Sequence, residues 1–361
     1  MANHSPLSEL HRENGAHFRE EDGWSLPLHF GKPLEEYQSV RSHVGLFDLC
    51  HRSLLRFTGP DRVSFLQGMV SNDVEKLTPG QGTVAAVLDI HGKILADIRI
   101  LCAEDYLLLD LWESLKEKIV NHFNRYLIAD EVEVSDLTDQ YGILSVQGRN
   151  SRDLLEGLLG TAKLPSTELS HAEYQTGDGK ARLIRATHTG EEGFDIILEI
   201  KDLLRIVSSI QEKGKTFSTQ WVGCQAQEIL RIEAGIPRYG VDMDEDNLIL
   251  ETGLDRAVSF TKGCYLGQEV VERIHSRGHV NRKLIGMVLE GDSAAMRGDA
   301  IHAEKQQIGN VTSSLLSPAL KCPLALGYVR RDFTSPGTRV AIHCNGRTIP
   351  AMVSRLPFYK S

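Results

Sequence analysis

The 361-residue sequence lacks several features that mark particular classes of protein. It has no run of the roughly 18 apolar residues that a membrane-spanning helix needs. Residues 1–22 also lack the apolar segment of a signal peptide. The net charge of −9 excludes the broad basic surface that captures nucleic acid or anionic membranes. We therefore expect a cytoplasmic protein with no nucleic-acid partner and no membrane partner.

Cysteine is scarce and dispersed. The six cysteines form no CxxC pair, so the sequence contains neither a structural zinc motif nor a conventional iron–sulfur motif, and we predict no metal site. Without an export signal, we expect the thiols to stay reduced and disulfides to be absent. No glycine-rich fingerprint for a nucleotide is present either.

The pattern of apolar residues predicts the fold class. Two apolar runs, 84–90 and 94–101, flank a short glycine-containing turn, and a helical stripe and another strand follow them. A similar order of strands and helices recurs between residues 143 and 210. After Asn281 the chain becomes a series of short apolar runs separated by turn residues, which is typical of a small barrel. The sequence therefore predicts an α+β protein with two lobes and a C-terminal β-barrel.

The segment from Lys262 to Glu269 could carry chemistry. Cys264 lies between two glycines, Lys262 precedes it by two residues, and apolar residues at helical spacing follow. We expect Cys264 just before or within the first turn of a helix, where the helix dipole and an ammonium group favour the thiolate. The alternative is an inert, buried cysteine in a turn.

Three charged side chains outside this segment are further candidates. Glu191 precedes an apolar strand in a glycine-flanked turn, where it would either accept paired donors from a planar ring or face solvent. Arg231 lies in a helical segment and offers a fork of donors for a carboxylate, unless it pairs with a neighbouring glutamate. Asp97 lies in the second strand of the hairpin, and its alternative is an edge-strand aspartate facing water.

The 262–269 segment resembles the K-G-C-[FY]-x-G-Q-E signature of YgfZ-type proteins, a branch of the folate-binding superfamily of the glycine-cleavage T-protein. Further resemblance to this superfamily covers most of the chain, in residues 65–74, 80–83, 91–97, 189–195, 230–237 and 251–254. One segment departs from the T-protein pattern S-H-M-G. There this chain has Cys50-His51-Arg52-Ser53, so Arg52 replaces a methionine that packs against folate in T-proteins.

The resemblance implies an architecture and a ligand. It implies two interleaved lobes, about 1–52 plus 137–245 and 53–136 plus 246–280, around a central pocket, with residues 281–361 as the barrel. The expected ligand is tetrahydrofolate or its 5,10-methylene or 5-formyl derivative. The residues expected to bind it are Asn72, Asp97, Glu191 and Arg231.

The resemblance also implies a function. The leading interpretation is a tetrahydrofolate-binding accessory protein of iron–sulfur cluster assembly or repair, whose partners would be iron–sulfur client or assembly proteins. Cys264 would be the reactive thiol, and Lys262 would keep it ionised. Asp97 keeps a second interpretation open, a folate-dependent aminomethyltransferase or demethylase, because T-proteins have an acidic residue there that assists attack by the folate nitrogen. A third interpretation, a folate-sensing module without chemistry, requires a buried Cys264.

Overall fold

The computed structural model of the chain describes residues 2–160, 163–177 and 179–360, without the side chain of Arg277. Its α-helices are α1 (Ser8–Glu13), α2 (Pro33–Ser42), α3 (Arg62–Met69), α4 (Glu113–Tyr126), α5 (Ser151–Leu159), α6 (Ile200–Gly214), α7 (Cys224–Glu233) and α8 (Gln268–Arg277). Short 3₁₀ helices span Lys215–Phe217, Ile249–Glu251, Asp255–Ala257 and Arg331–Phe333. Among the described residues, no helix is long and apolar enough to cross a membrane.

The strands alternate with these helices along the chain. They are β1 (Asn3–His4), β2 (His17–Glu21), β3 (Trp24–His29), β4 (Gly45–Asp48), β5 (Arg52–Thr58), β6 (Gly82–Leu88), β7 (Ile94–Cys102), β8 (Leu107–Trp112), β9 (Glu133–Asp136), β10 (Tyr141–Gln147), β11 (His171–Thr176), β12 (Gly179–Arg185), β13 (Gly193–Glu199), β14 (Gln220–Trp221), β15 (Arg282–Leu289), β16 (Ala300–Ala303), β17 (Gln306–Ser317), β18 (Cys322–Arg330), β19 (Arg339–Cys344) and β20 (Arg347–Ser354).

A five-stranded sheet forms in the order β6-β7-β8-β5-β9. Alternate residues of β7, such as Ile98 and Ile100, are buried against the core that Phe65 of α3 and Phe123 of α4 complete. Because side chains alternate across a strand, Asp97 and Arg99 lie on the opposite face. The strand β7 lies inside the sheet, between β6 and β8, so the alternative of an edge-strand Asp97 is wrong.

A six-stranded sheet forms in the order β11-β12-β13-β10-β4-β14. The helix α6 packs on it because Leu203, Ile206, Val207 and Ile210 recur at helical spacing and are all buried. The strand β4 precedes the five-stranded sheet in the chain, whereas the other strands follow it, so the two sheets are interleaved along the sequence. A shared core of residues from both sheets, including Leu54, Leu108 and Ile197, joins them.

Two smaller sheets complete the molecule. The strands β1, β3 and β2 form a three-stranded sheet near the N-terminus. The strands β15 to β20 form a closed barrel in the order β15-β18-β17-β16-β19-β20, with Met287, Ile301 and Val329 in its core. The predicted α+β class with a C-terminal barrel is therefore confirmed. The limits given above for the lobes and the barrel stay predictions.

Candidate functional site

A cavity of about 360 Å³ lies among the five-stranded sheet, the three-stranded sheet and α7. Its volume falls within the range of roughly 300–1,000 Å³ that is usual for small-molecule sites. Aromatic side chains, among them Trp24 and Trp112, form part of its wall. Polar groups converge on it from the two larger sheets, so the cavity combines apolar walls with a few charged side chains.

Asp97 lines this cavity from β7. Its Oδ1 atom is sheltered from solvent and has no hydrogen-bond partner within the described residues. Burial raises the pKa of this carboxyl group above its ordinary value, although the nearby Arg52 acts in the opposite direction. A sheltered, unpaired carboxylate oxygen at a cavity wall is suited to exchange a proton with a bound ligand.

A buried network of charges lies behind Asp97. The Arg99 guanidinium donates to Asp110 and, over 2.5 Å, to Oδ2 of Asp195. His188 contacts both carboxylate oxygens of Asp195 at 3.0 Å. Burial opposes the ionisation of Asp195, but His188 and Arg99 outweigh it and hold its pKa well below the ordinary value. The network therefore keeps fixed charges at the cavity wall.

None of these network residues was among the site residues predicted from the sequence. Arg99 is two positions after Asp97 in an otherwise apolar strand, and Asp110 interrupts the apolar run of β8. A charge inside an apolar strand requires a partner if it is buried. That signal could have identified both residues.

Arg231 lines the cavity but has no free donor. Its Nε donates to Glu228 over 2.7 Å, and Nη2 donates to the same carboxylate and, over 2.8 Å, to Oγ of Ser313. Its Nη1 donates to Oδ2 of Asp242 over 2.7 Å and to the Ile236 carbonyl over 3.0 Å. These contacts use all five N–H groups of the guanidinium. Arg231 therefore joins α7 to the barrel, and the expectation that it binds a folate carboxylate is not supported.

Glu191 is buried beside Arg41, with its Oε1 2.8 Å from Nη1 of that arginine, and it is not among the residues that line the cavity. The expected contact with a pterin ring therefore has no support from its position. Glu191 and Asp195 both belong to the 189–195 segment that resembles T-proteins. Asp195 contacts two side chains of the cavity wall, Arg99 and His188, and therefore lies nearer the cavity than Glu191.

Asn72 and Lys262 are engaged in holding a loop. Both are absent from the cavity lining. The Asn72 amide nitrogen donates to Oγ1 of Thr83 and to two backbone carbonyls, over 2.8–2.9 Å. The Lys262 ammonium donates to the carbonyls of Gln67, Val70 and Asn72 over 2.6, 2.7 and 2.8 Å. Because an ammonium has three donors, Lys262 has none left for the Cys264 thiol.

Cys264 is exposed and lies outside the cavity lining. The helix α8 begins at Gln268 after its N-cap Gly267, so Cys264 precedes the first helical turn. Its exposure contradicts the inert, buried cysteine and the sensing module that required one. A different cysteine, Cys224, lines the cavity, and burial raises its pKa to about 11.

Two family models match the chain. Residues 7–262 match the GCVT N-terminal domain, and residues 282–360 match the glycine cleavage T-protein C-terminal barrel domain. The second match coincides with the closed barrel, whose first strand begins at Arg282.

Proteins named aminomethyltransferase match this chain over nearly its whole length. An aminomethyltransferase of Halothermothrix orenii is 33% identical over 356 residues, which cover 98% of this chain and 99% of that protein. An aminomethyltransferase of Rubrobacter xylanophilus is 32% identical over 357 residues, covering 99% of this chain and 94% of that protein. The crystal structure of glycine cleavage system aminomethyltransferase T from Bartonella henselae has a TM-score of 0.92 at 27% identity, covering 100% of this chain and 99% of that one.

Proposed function

The chain belongs to the glycine cleavage T-protein family, and from this membership we propose that it is a tetrahydrofolate-dependent aminomethyltransferase. Tetrahydrofolate is the one-carbon acceptor that this family uses. The observation that carries the proposal is the unpaired Oδ1 of Asp97 at the wall of the central cavity. This oxygen atom can accept a hydrogen bond or a proton from a bound ligand.

The cavity has the properties that a folate requires. Trp24 and Trp112 give the wall apolar surface, and the volume of about 360 Å³ suits a ligand with planar rings. Asp97 supplies a carboxyl group next to the bound rings. Transfer replaces two bonds of the aminomethyl carbon, because one folate nitrogen displaces the amine, which leaves as ammonia, and the second folate nitrogen displaces the carrier. In each displacement the attacking nitrogen loses a proton and the leaving group gains one. A carboxylate within reach of both can move this proton.

The proposal is tested with the wild-type protein, tetrahydrofolate and a ¹³C-labelled aminomethyl donor. Calorimetry measures the binding of tetrahydrofolate, and NMR follows the label. We expect saturable binding, transfer of the label to folate nitrogen and release of one ammonia per label. If tetrahydrofolate binds and no donor of this class is consumed, transferase activity is refuted and a binding role remains.

We propose a second function for the exposed Cys264, as the reactive thiol of a YgfZ-type protein that maintains iron–sulfur clusters in the cytoplasm. The specific observation in its favour is that Cys264 is the one exposed thiol among the six cysteines, and it lies within the segment that resembles the YgfZ signature. Its partners would be iron–sulfur client or assembly proteins. Because Cys264 lies outside the cavity lining, this function does not compete with folate for the same side chains.

This second function is tested by complementation of a deletion strain. The readout is the activity of iron–sulfur enzymes, and the matched control is Cys322→Ala, which removes a half-buried thiol of the barrel. We expect Cys264→Ala to fail and the control to restore activity. Full restoration by Cys264→Ala would eliminate the thiol function and leave the transferase proposal intact.

A further inference from the structure

Arg52 shares one face of the five-stranded sheet with the charged residues of the cavity. In the pairing of β5 with β8, Arg52 lies opposite Trp112, and Leu54 lies opposite Asp110. In the pairing of β7 with β8, Arg99 also lies opposite Asp110. Because alternate residues of a strand share a face, Arg52 extends the row that contains Arg99 and Asp97.

Two contacts fix the orientation of the Arg52 guanidinium. Its Nε donates to Oδ1 of Asp110 over 2.6 Å, and its Cζ lies 4.9 Å from the centre of the Trp112 ring. The side chain is only 9% exposed. A group held this way loses little conformational freedom when it binds a ligand.

The two terminal nitrogens of Arg52 are not used by the protein. Neither Nη1 nor Nη2 has an acceptor among the described residues, and Arg52 lines the cavity. The other arginines of the wall differ, since Arg99 is paired with two aspartates and Arg231 has no free donor. Arg238 and Arg256 each use one terminal nitrogen on a glutamate, so Arg52 alone among the arginines of the wall has two terminal nitrogens without an acceptor in the described part of the chain.

We propose that Arg52 binds a carboxylate group of a ligand in the cavity. The outer edge of a guanidinium presents two parallel N–H donors, which match the two oxygens of a carboxylate. This proposal rests on the proposed folate function of the cavity. The carboxylate belongs either to the glutamate part of folate or to a small acid bound beside the pterin ring.

The experiment compares the wild-type protein with Arg52→Met and Arg52→Lys. Calorimetry measures the dissociation constants of three probes. These are tetrahydrofolate, 6-methyltetrahydropterin, which has no carboxylate, and a small acid such as succinate added to the pterin-loaded protein. The matched control is Arg56→Met, which makes the same change on the same strand at a residue outside the cavity lining.

The three affinities show which carboxylate Arg52 binds, that of the folate glutamate or that of a small acid. If Arg52 binds the folate glutamate, Arg52→Met weakens tetrahydrofolate about 10- to 100-fold and leaves the pterin unchanged, as expected for the loss of charge-assisted hydrogen bonds. If it binds a small acid, only succinate binding is lost, and Arg52→Lys retains part of it. Unchanged affinities for all three probes would overturn the proposal. Failure of the wild type to bind tetrahydrofolate would instead refute the function on which it rests.

Discussion

The replacement of Arg231 by methionine tests whether this arginine holds the protein together or binds a ligand. Its partner Asp242 has a fully buried side chain, whereas the Glu228 side chain is 33% exposed. After the substitution Glu228 can turn to water, but Asp242 keeps only the Thr312 and Ser313 hydroxyls and a backbone N–H. A buried carboxylate that loses its cation costs about 3–5 kcal/mol of stability.

We therefore expect the free energy of unfolding of Arg231→Met to fall by about 3–5 kcal/mol in urea denaturation. The double variant Arg231→Met/Asp242→Asn should recover much of this loss, because it removes the unpaired charge and keeps acceptors for the two hydroxyls. Arg12→Met serves as the control, since Arg12 and Glu9 form an exposed pair and such pairs contribute about 0–1 kcal/mol.

The affinity for tetrahydrofolate shows whether Arg231 has a structural role or binds the ligand. Under conditions where Arg231→Met remains folded, we expect its dissociation constant for tetrahydrofolate to stay within about threefold of the wild type, because the arginine has no free donor for a ligand. Unchanged stability together with a loss of affinity of about tenfold or more would refute this reasoning. It would restore the ligand role predicted from the sequence.

Three further predictions concern single residues. Burial raises the pKa of Asp97 above the ordinary 3.8, and Asp97 must be ionised to act as a base. We therefore expect kcat/KM to fall as the pH falls through a value above 3.8. A pH profile that is flat down to 3.8 would contradict the role of Asp97 as the base. Lys262→Met should lower the free energy of unfolding in urea by about 1–3 kcal/mol, because two buried carbonyls and one half-buried carbonyl lose their donor. An unchanged free energy of unfolding would show that water replaces the ammonium. Cys264 should react first with a thiol reagent, and Cys264→Ala should keep the affinity for tetrahydrofolate; equal labelling of Cys50 would contradict its exposure.

Local patterns predicted much of the fold. The hairpin of β6 and β7, the helix α6 and the strands after Asn281 follow from apolar periodicity and turn residues, which are properties of neighbouring positions. Asp97 lines the cavity, and its role in binding folate, which the resemblance to T-proteins implies, stays a prediction. The superfamily is confirmed, whereas the YgfZ branch remains a proposal.

The partners of the charged residues could not be predicted in the same way. Arg231 bonds to Ser313, 82 positions away, and Glu191 bonds to Arg41, 150 positions away. The sequence showed that each charge needs a partner, but only the packing of α2, α7 and the barrel decides which one. The partners of Lys262 were even less predictable, because its three acceptors are backbone carbonyls, which every residue type has.

The proposed aminomethyl transfer with Asp97 as the proton carrier is tested most directly by the single-turnover rate of Asp97→Asn at saturating tetrahydrofolate. Asparagine keeps the size of the side chain and removes its ability to take a proton. We expect aminomethyl transfer to slow by about 100-fold or more, while the dissociation constant for tetrahydrofolate stays within about threefold. A rate equal to that of the wild type would contradict the assignment of Asp97 as the group that moves the proton.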